Sequence, residues 1–498
     1  MKQMLSENPI ARACRYVSQD LKDDFWPDII DYRDILFNYK TVPRKIVPKD
    51  IIAIDIPKPN LILRPGHYIN IEDRIYFQYI INKFASKVDR RLQPPSVVMG
   101  FRVNHRKSKY FLQDNINNWV NLNAEIDKYF EANENCLLLK TDINAFFEHI
   151  LIDELIKKLN LFKVDTKKLE ILLKVWSPNN LGLPQGNHCS SFLANVYLNE
   201  VDVMMTRAGF KYFRFMDDLK IFVKNITEAR SAMKELTSLL RPLNLHLNSG
   251  KTGLYSKNEY FKGRNKYQAQ MEAVEYGMNF KDDDLTAVDR NLKIIWNATV
   301  RTKEIDKTKF GFCVNRFAKL GSNFPKNWML RNNFYDPAYS QVVCNYLTKY
   351  IHEKRVQEKA VEVYNNSIYE WQRISILKMF LKADRLKIPF YFLKISNLYQ
   401  TNNFMEQGYL INYIFKFGDS AEVTKVIKYF HDFLKPDQNV TRYYLIACKY
   451  LPDNLRDSEI QQIIKINRKF INLVSFMFDD SYVDHLLKKQ QMQLQMSI

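Results

Sequence analysis

The chain has 498 residues, 46% of them apolar, enough to bury a large core divided over two or three domains. Lysine and arginine total 74 against 55 aspartate and glutamate, and the net charge of +19 points to a polyanionic partner such as nucleic acid. The six cysteines are dispersed without a CxxC spacing, which argues against a disulfide framework or a zinc site; no apolar run is long enough to span a bilayer and the first residues lack a signal-peptide core, so a cytoplasmic protein with no membrane partner is expected.

Residues 1–50 read as a charged helical segment ending at the breakers Pro43 and Pro48. IIAIDIPKPNLILRP, residues 51–65, reads as a hairpin carrying Lys58 and Arg64, two cations of the kind that grip a triphosphate. A helix is expected over 71–91, with Arg74 near its start. Gly100 lies between an apolar run and Phe101-Arg102, a position where something approaches the backbone closely. The apolar strand LLLK, 137–140, then delivers Asp142 at its end, and the sequence from Asn144 through Phe147 leads toward a helix. Gly182-Leu183-Pro184-Gln185-Gly186 is a rigid turn bracketed by two of only 13 glycines, and the apolar residues after it recur at helical spacing.

The stretch FRFMDDLKIFV, 213–223, sets two adjacent carboxylates, Asp217 and Asp218, inside an aromatic and β-branched run, which predicts a hairpin with its acids at the turn. Acids held that close repel each other unless a cation lies between them, and Mg²⁺, with Mn²⁺ as a substitute, suits oxygen ligands and a phosphate substrate. An isolated Asp-Asp turn facing water is the commoner use of such a pair. Its neighbours decide the matter. An amphipathic helix is expected over 228–240, then a strand over 243–252 that ends at Lys251. The order is strand with acid, helix, hairpin with two acids, helix, strand with lysine. Phosphoryl transfer to a polynucleotide end uses two divalent ions, which Asp142, Asp217 and Asp218 could hold while Lys251 neutralises or protonates the leaving group.

These segments resemble the successive palm motifs of reverse transcriptases, particularly the bacterial group that includes group II intron and retron enzymes: LLLKTDINAFFEHI, GLPQG with SSFLANVYLNEVD, FRFMDDLKIF and LNLHLNSGKT. Upstream, the IPKPN turn with Arg64, the Glu72-Asp73-Arg74 segment and Gly100-Phe101-Arg102 resemble the fingers motifs of that group in order. The resemblance implies an α/β palm-and-fingers domain over 51–255. It also implies that Asp142, Asp217 and Asp218 bind two metals with help from the carbonyl of Ile143. Phe147 would be the gate against a ribose 2′-hydroxyl, Gln185 and Gly186 would line the nucleotide pocket, and Lys58, Arg64 and Arg74 are candidates for the triphosphate. Phe215-Met216 stands where the group commonly has tyrosine-alanine, and Leu61 where it has glycine, departures that bear on template handling more than on the acids.

Residues 256–284 read as a connector, and 285–498 as an almost wholly helical domain with helix pairs at roughly the period of HEAT-like repeats. A palm and fingers followed by such a domain resembles the abortive-infection, AbiK-like reverse transcriptases of phage defence. That resemblance implies deoxynucleoside triphosphates as substrates and DNA synthesis without an obligatory template. It further implies priming from a protein hydroxyl, a single-stranded product covalently attached to the protein, and homo-oligomeric assembly. RNA-templated synthesis of the retron kind, or a palm fold kept as a nucleic-acid-binding module, are the alternatives.

Overall fold

The structure is a computed structural model that describes residues 8–21, 33–38, 47–106, 108–265, 268–279, 285–302, 305–332, 336–388 and 395–478. They fall into two compact units: the first gathers the described residues within 1–25, 39–53 and 66–266, the second those within 26–38, 54–65 and 267–498.

Strands β1 (Ile52–Pro57) and β2 (Leu63–Tyr68) pair as a two-stranded sheet joined through a 3₁₀ turn at Pro59–Leu61. In the first unit β3 (Leu137–Asp142), β4 (Lys211–Phe215), β5 (Asp218–Val223) and β6 (Gly253–Ser256) form an antiparallel sheet in the order β4-β5-β3-β6. β5 is central and covered on both faces, which is why Leu219 to Val223 reads as a continuous apolar run around Lys220 rather than as a clean alternation. Leu139, Leu219 and Ile221 point into a large core made with helices Ile71–Asn82, Ile152–Asn160, Lys167–Trp176, His188–Arg207 and Ile226–Leu240. Leu138, Phe213 and Phe222 point the other way, onto Leu122, Ile126 and Phe130 of helix Asn115–Ala132.

Two expectations need correction. The helix over 71–91 is two helices, Ile71–Asn82 and Ala85–Asp89, because the chain leaves helical geometry at Phe84, which no proline or glycine announces. The strand over 243–252 is mostly irregular. Pro242 closes a 3₁₀ turn, Asn244 takes a left-handed φ of 57°, and the Asn248 side chain accepts from the Gly250 N–H to start a second turn at Ser249–Lys251. The regular strand is β6, just beyond, paired with β3. Within the segment 256–284, helices Lys257–Asn265 and Gln268–Asn279 occupy most of the described residues, and the second packs on helix Leu285–Val300.

The second unit is helical throughout its described residues from 285 to 478. Helices Lys307–Leu320, Ser340–Leu347, Glu370–Phe380, Phe404–Phe417 and Gln438–Ala447 pack each on the next, with shorter or peripheral helices intervening in sequence. Glu406 is buried in it, where Arg373, Tyr364 and Thr401 all donate to its carboxylate. The remainder of the expected helical domain, 479–498, lies outside the described residues. Among the described residues no helix is long and apolar enough to cross a membrane.

Candidate active site

The antiparallel register of β3 and β5 places Asp142 directly opposite Asp218. Asp217 occupies the β4–β5 turn, and its carbonyl accepts the Ile143 N–H at 3.1 Å, which ties that turn to the end of β3. The residue before it, Met216, has a φ of 58°, a left-handed conformation costly for a side chain of this size. Arg214 holds it there. Its Nη1 donates to the Met216 carbonyl at 2.8 Å and to Asn195 Oδ1 at 2.9 Å, while Nε and Nη2 grip both oxygens of Asp202 at 2.7 Å. Arg214 and Asp202 are each almost completely buried, and Tyr212 adds a hydroxyl to the same carboxylate at 2.9 Å. Asn195 in turn donates to the carbonyls of Gly100 and Phe101 at 2.8 and 3.2 Å. A Cβ on Gly100 would meet the Phe215 ring at 3.0 Å, so the glycine allows the close approach expected of it.

Each outer acid carries its own cation. Lys251 Nζ lies 2.6 Å from Asp142 Oδ2, and Lys220 Nζ lies 2.7 Å from Asp218 Oδ2. The two lysines differ in freedom: Lys251 is 62% exposed, whereas Lys220 is 3% exposed and held over the Trp119 ring at 4.5 Å. Burial pushes the Lys220 pKa down against the pull of Asp218. Asp217 has no such partner among the described residues; burial, followed by the charge of Asp142, raises its carboxyl to about 6. Among the described residues no three metal-binding side chains converge as a ready cage, since the outer carboxylates face their lysines. The donor set nevertheless fits a divalent ion. Asp218 Oδ1 is buried without a partner, and Asp217 becomes easier to ionise once a cation offsets the neighbouring charge.

The residues expected around the nucleotide are distributed as follows. Phe147 is half-buried beside Phe146, and its carbonyl accepts the Leu183 N–H at 2.8 Å, which fastens the Gly182–Gly186 turn to the segment after Asp142. Gly186 takes a φ of 94°, and its carbonyl accepts from Arg74 Nη2 at 3.2 Å. Arg74 is buried against Asp20 at 3.0 Å, so its charge is already answered within the first unit. Asp20 also accepts the His188 N–H, at the start of helix His188–Arg207. The Gln185 N–H donates to His67 Nδ1 at 3.1 Å, and burial lowers the pKa of that ring. A cavity of about 660 Å³ opens beside Gly186, lined by Phe101, Tyr110, Gln113, Asn187 and His188 among others. Lys58 and Arg64 belong to the part of the β1–β2 hairpin that groups with the second unit, where the charge of Arg64 helps lower the pKa of Lys307, whose burial is the larger cause.

Sequence reasoning missed Asp20, His67, Asn195 and Lys220 as parts of this site. Lys220 had a signal, a lysine two residues after Asp218 in an otherwise apolar strand and hence on the same face. Asp20 had none, because its partners are 54 and 168 residues away, at positions 74 and 188.

Residues 56–277 match the family model described as reverse transcriptase (RNA-dependent DNA polymerase). The matched span contains β3, the β4–β5 hairpin and all three acids. This part of the chain is a reverse transcriptase domain. No curated protein matches the chain. Among solved structures it is similar to telomerase from Candida albicans, determined with the TWJ fragment of telomeric RNA, at 10% identity and a TM-score of 0.32, with 78% of this chain and 66% of that chain covered. It is similar also to apo telomerase from Candida tropicalis, at 10% identity and a TM-score of 0.32, covering 85% and 71% of the two chains. The reverse transcriptase domain stops before helix Leu285–Val300, so the match does not extend to the helices beyond it.

Proposed function

We propose that the chain is a divalent-metal-dependent DNA polymerase in which Asp142, Asp217 and Asp218 hold Mg²⁺ or Mn²⁺, assisted by the Ile143 carbonyl. The observation that carries this reading is the pairing of Asp142 with Asp218 across β3 and β5, with Asp217 locked beside them and an ammonium already on each outer acid. Such ions, when bound, lower the pKa of the attacking 3′-hydroxyl and offset charge on the departing pyrophosphate. Lys251, exposed and within reach of Asp142, is free to turn toward the leaving group and neutralise or protonate it. Phe147 excludes the ribose 2′-hydroxyl, and Gln185 and Gly186 receive the nucleotide, with their backbone set by Arg74 and His67.

The wider role is phage defence by abortive infection, with untemplated synthesis primed from a protein hydroxyl, product left on the protein, assembly into homo-oligomers, and a second unit of HEAT-like repeats. What supports this finer reading is the order of the motifs together with the helical second unit that follows them. The test is to incubate the purified chain with Mg²⁺ and labelled deoxynucleotides, without template or primer, and to run denaturing gels before and after protease. Label in a protein band, released by protease, is expected. Incorporation that starts only when RNA and a primer are added would overturn the untemplated, protein-primed reading while leaving the polymerase in place.

A further inference from the structure

Lysine recurs at the carboxyl ends of the stacked helices in the second unit. Lys319, Lys349, Lys382, Lys416 and Lys449 follow one another at intervals of 30, 33, 34 and 33 residues. Each lies in the last turn of, or just after, helices Lys307–Leu320, Ser340–Leu347, Glu370–Phe380, Phe404–Phe417 and Gln438–Ala447 respectively. Helix ends attract cations, because the last carbonyls are unpaired and the helix dipole is negative there. Part of the pattern is that capping: Lys349 Nζ donates to the Ala318 carbonyl and Lys416 Nζ to the Leu381 carbonyl, at 2.9 Å in the second case. Both reach back to the end of the preceding helix in the stack, which brings Lys349 beside the end that carries Lys319 and Lys416 beside the end that carries Lys382.

Capping does not account for the rest. Burial lowers the pKa of Lys416, and after the opposing charge of Asp384 the charges of Lys449 and Lys382 lower it too, so both stand close to it. Crowded like charges cost stability, and a cap needs only one of them. An aromatic ring also follows three of the lysines directly, at Tyr350, Phe417 and Tyr450. Lys416 Nζ lies 5.1 Å from the Phe417 ring centre and 5.7 Å from that of Tyr450, and Lys449 Nζ lies 4.9 Å from the latter. Lys319, Lys349, Lys382 and Lys449 are exposed.

We propose that this row of lysines and rings is a track for single-stranded nucleic acid along the edge of the helical stack. Single strands bind where cations meet their phosphates and rings meet their unpaired bases, and a duplex has no base faces to offer. One ammonium per helix, with rings beside Lys416 and Lys449, supplies both. The track deepens the polymerase reading by giving a product or template strand a place on the second unit; the strand's origin rests on that reading, but its binding does not.

The experiment measures fluorescence anisotropy of a labelled 30-nucleotide DNA strand of mixed sequence across a salt series. It uses the full chain carrying Asp217→Asn and Asp218→Asn, so that nucleotide addition plays no part. Combining Lys349→Gln, Lys382→Gln and Lys449→Gln should weaken binding about tenfold or more and reduce the slope of log K against log salt by about 2, at roughly 0.7 per lost contact. The double variant Lys382→Gln and Lys449→Gln keeps both carbonyl contacts and should show about two thirds of that slope change with an unaltered melting temperature. Lys354→Gln, Lys428→Gln and Lys465→Gln, equal in charge and exposed on helices other than the five of the row, should leave the slope unchanged. Equal losses in both triple variants, no loss in the first, or a duplex or polyglutamate competing as well as the single strand would overturn the proposal. A wild-type chain that incorporates no nucleotide yet binds through these lysines would sink the polymerase reading and leave the track standing.

Discussion

Replacing Arg214 by methionine should destabilise the first unit by about 3–5 kcal/mol, the usual consequence of leaving one member of a buried ion pair without the other. The structure supplies the reason for placing it at that end of the range for single substitutions. Asp202 is 1% exposed and would lose both guanidinium contacts, and the Met216 carbonyl and Asn195 Oδ1 would lose their donor as well. Adding Asp202→Leu removes the stranded charge and should restore up to about 2 kcal/mol of the loss, because Tyr212, Asn195 and Met216 remain short of partners at about 1 kcal/mol each. Urea titrations of the wild type, the single and the double variant give these differences from their midpoints and slopes. A loss below about 1 kcal/mol for Arg214→Met, or a double variant no more stable than the single one, would refute the reasoning. The turn that presents the acids is at stake too, since Met216 would be released from its left-handed conformation. Nucleotide incorporation per folded molecule should therefore fall by at least about tenfold, which is only 1.4 kcal/mol at the transition state.

Burial lowers the pKa of His67, so the native ring binds fewer protons than the unfolded one, and stability should be lost as pH falls below about 6.5 toward the native value. Melting temperatures between pH 7.5 and 5 should show that loss, and His67→Asn, which keeps an acceptor for the Gln185 N–H, should flatten it; the same slope in both proteins would rule His67 out. Phe147→Ala should admit ribonucleotides, read as a fall in the ratio of kcat/KM for deoxy- over ribonucleotide, and an unchanged ratio would assign the gate to another residue. Lys251→Met should cost under about 1 kcal/mol of stability, because the lysine is largely exposed, while slowing single-turnover incorporation more than it weakens nucleotide binding. A change confined to binding would place Lys251 on the ground state instead.

Much of the palm was legible because its chemistry is local in sequence. Asp217 and Asp218 stand out as the polar break in an apolar hairpin, and Asp142 ends an apolar strand whose alternation matches the two cores it separates. The helix starting at His188 was readable from the turn before it and its spacing, with Asn187 as its cap. What failed depended on backbone choices that carry weak signals. The break at Phe84 lacks a breaker residue, and Leu243, Leu245 and Leu247 alternate like a strand although Pro242 and Asn244 turn the chain around them. That segment still supports the site as irregular backbone: Asn248 N–H donates to the Asp142 carbonyl at 2.7 Å and Asn144 N–H to the His246 carbonyl at 2.8 Å. Asp20 and His67 lay beyond sequence reasoning for another reason, since each acts through a partner fixed only when distant elements pack. Arg214 and Asp202 sat inside quoted motifs, yet their pairing depends on a helix crossing behind the hairpin, which spacing does not reveal.

The central claim is that Asp142, Asp217 and Asp218 act together in metal-dependent nucleotide addition. Its most direct test compares deoxynucleotide incorporation by the wild-type chain and by Asp217→Asn with Asp218→Asn, each with Mg²⁺, with Mn²⁺ and with chelator. The account predicts incorporation by the wild type that chelator abolishes, and loss of at least about a thousandfold in the variant at an unchanged fold by circular dichroism, the scale of removing a principal electrostatic element of a site. Full incorporation by the variant, or incorporation by the wild type that persists in chelator, would contradict it.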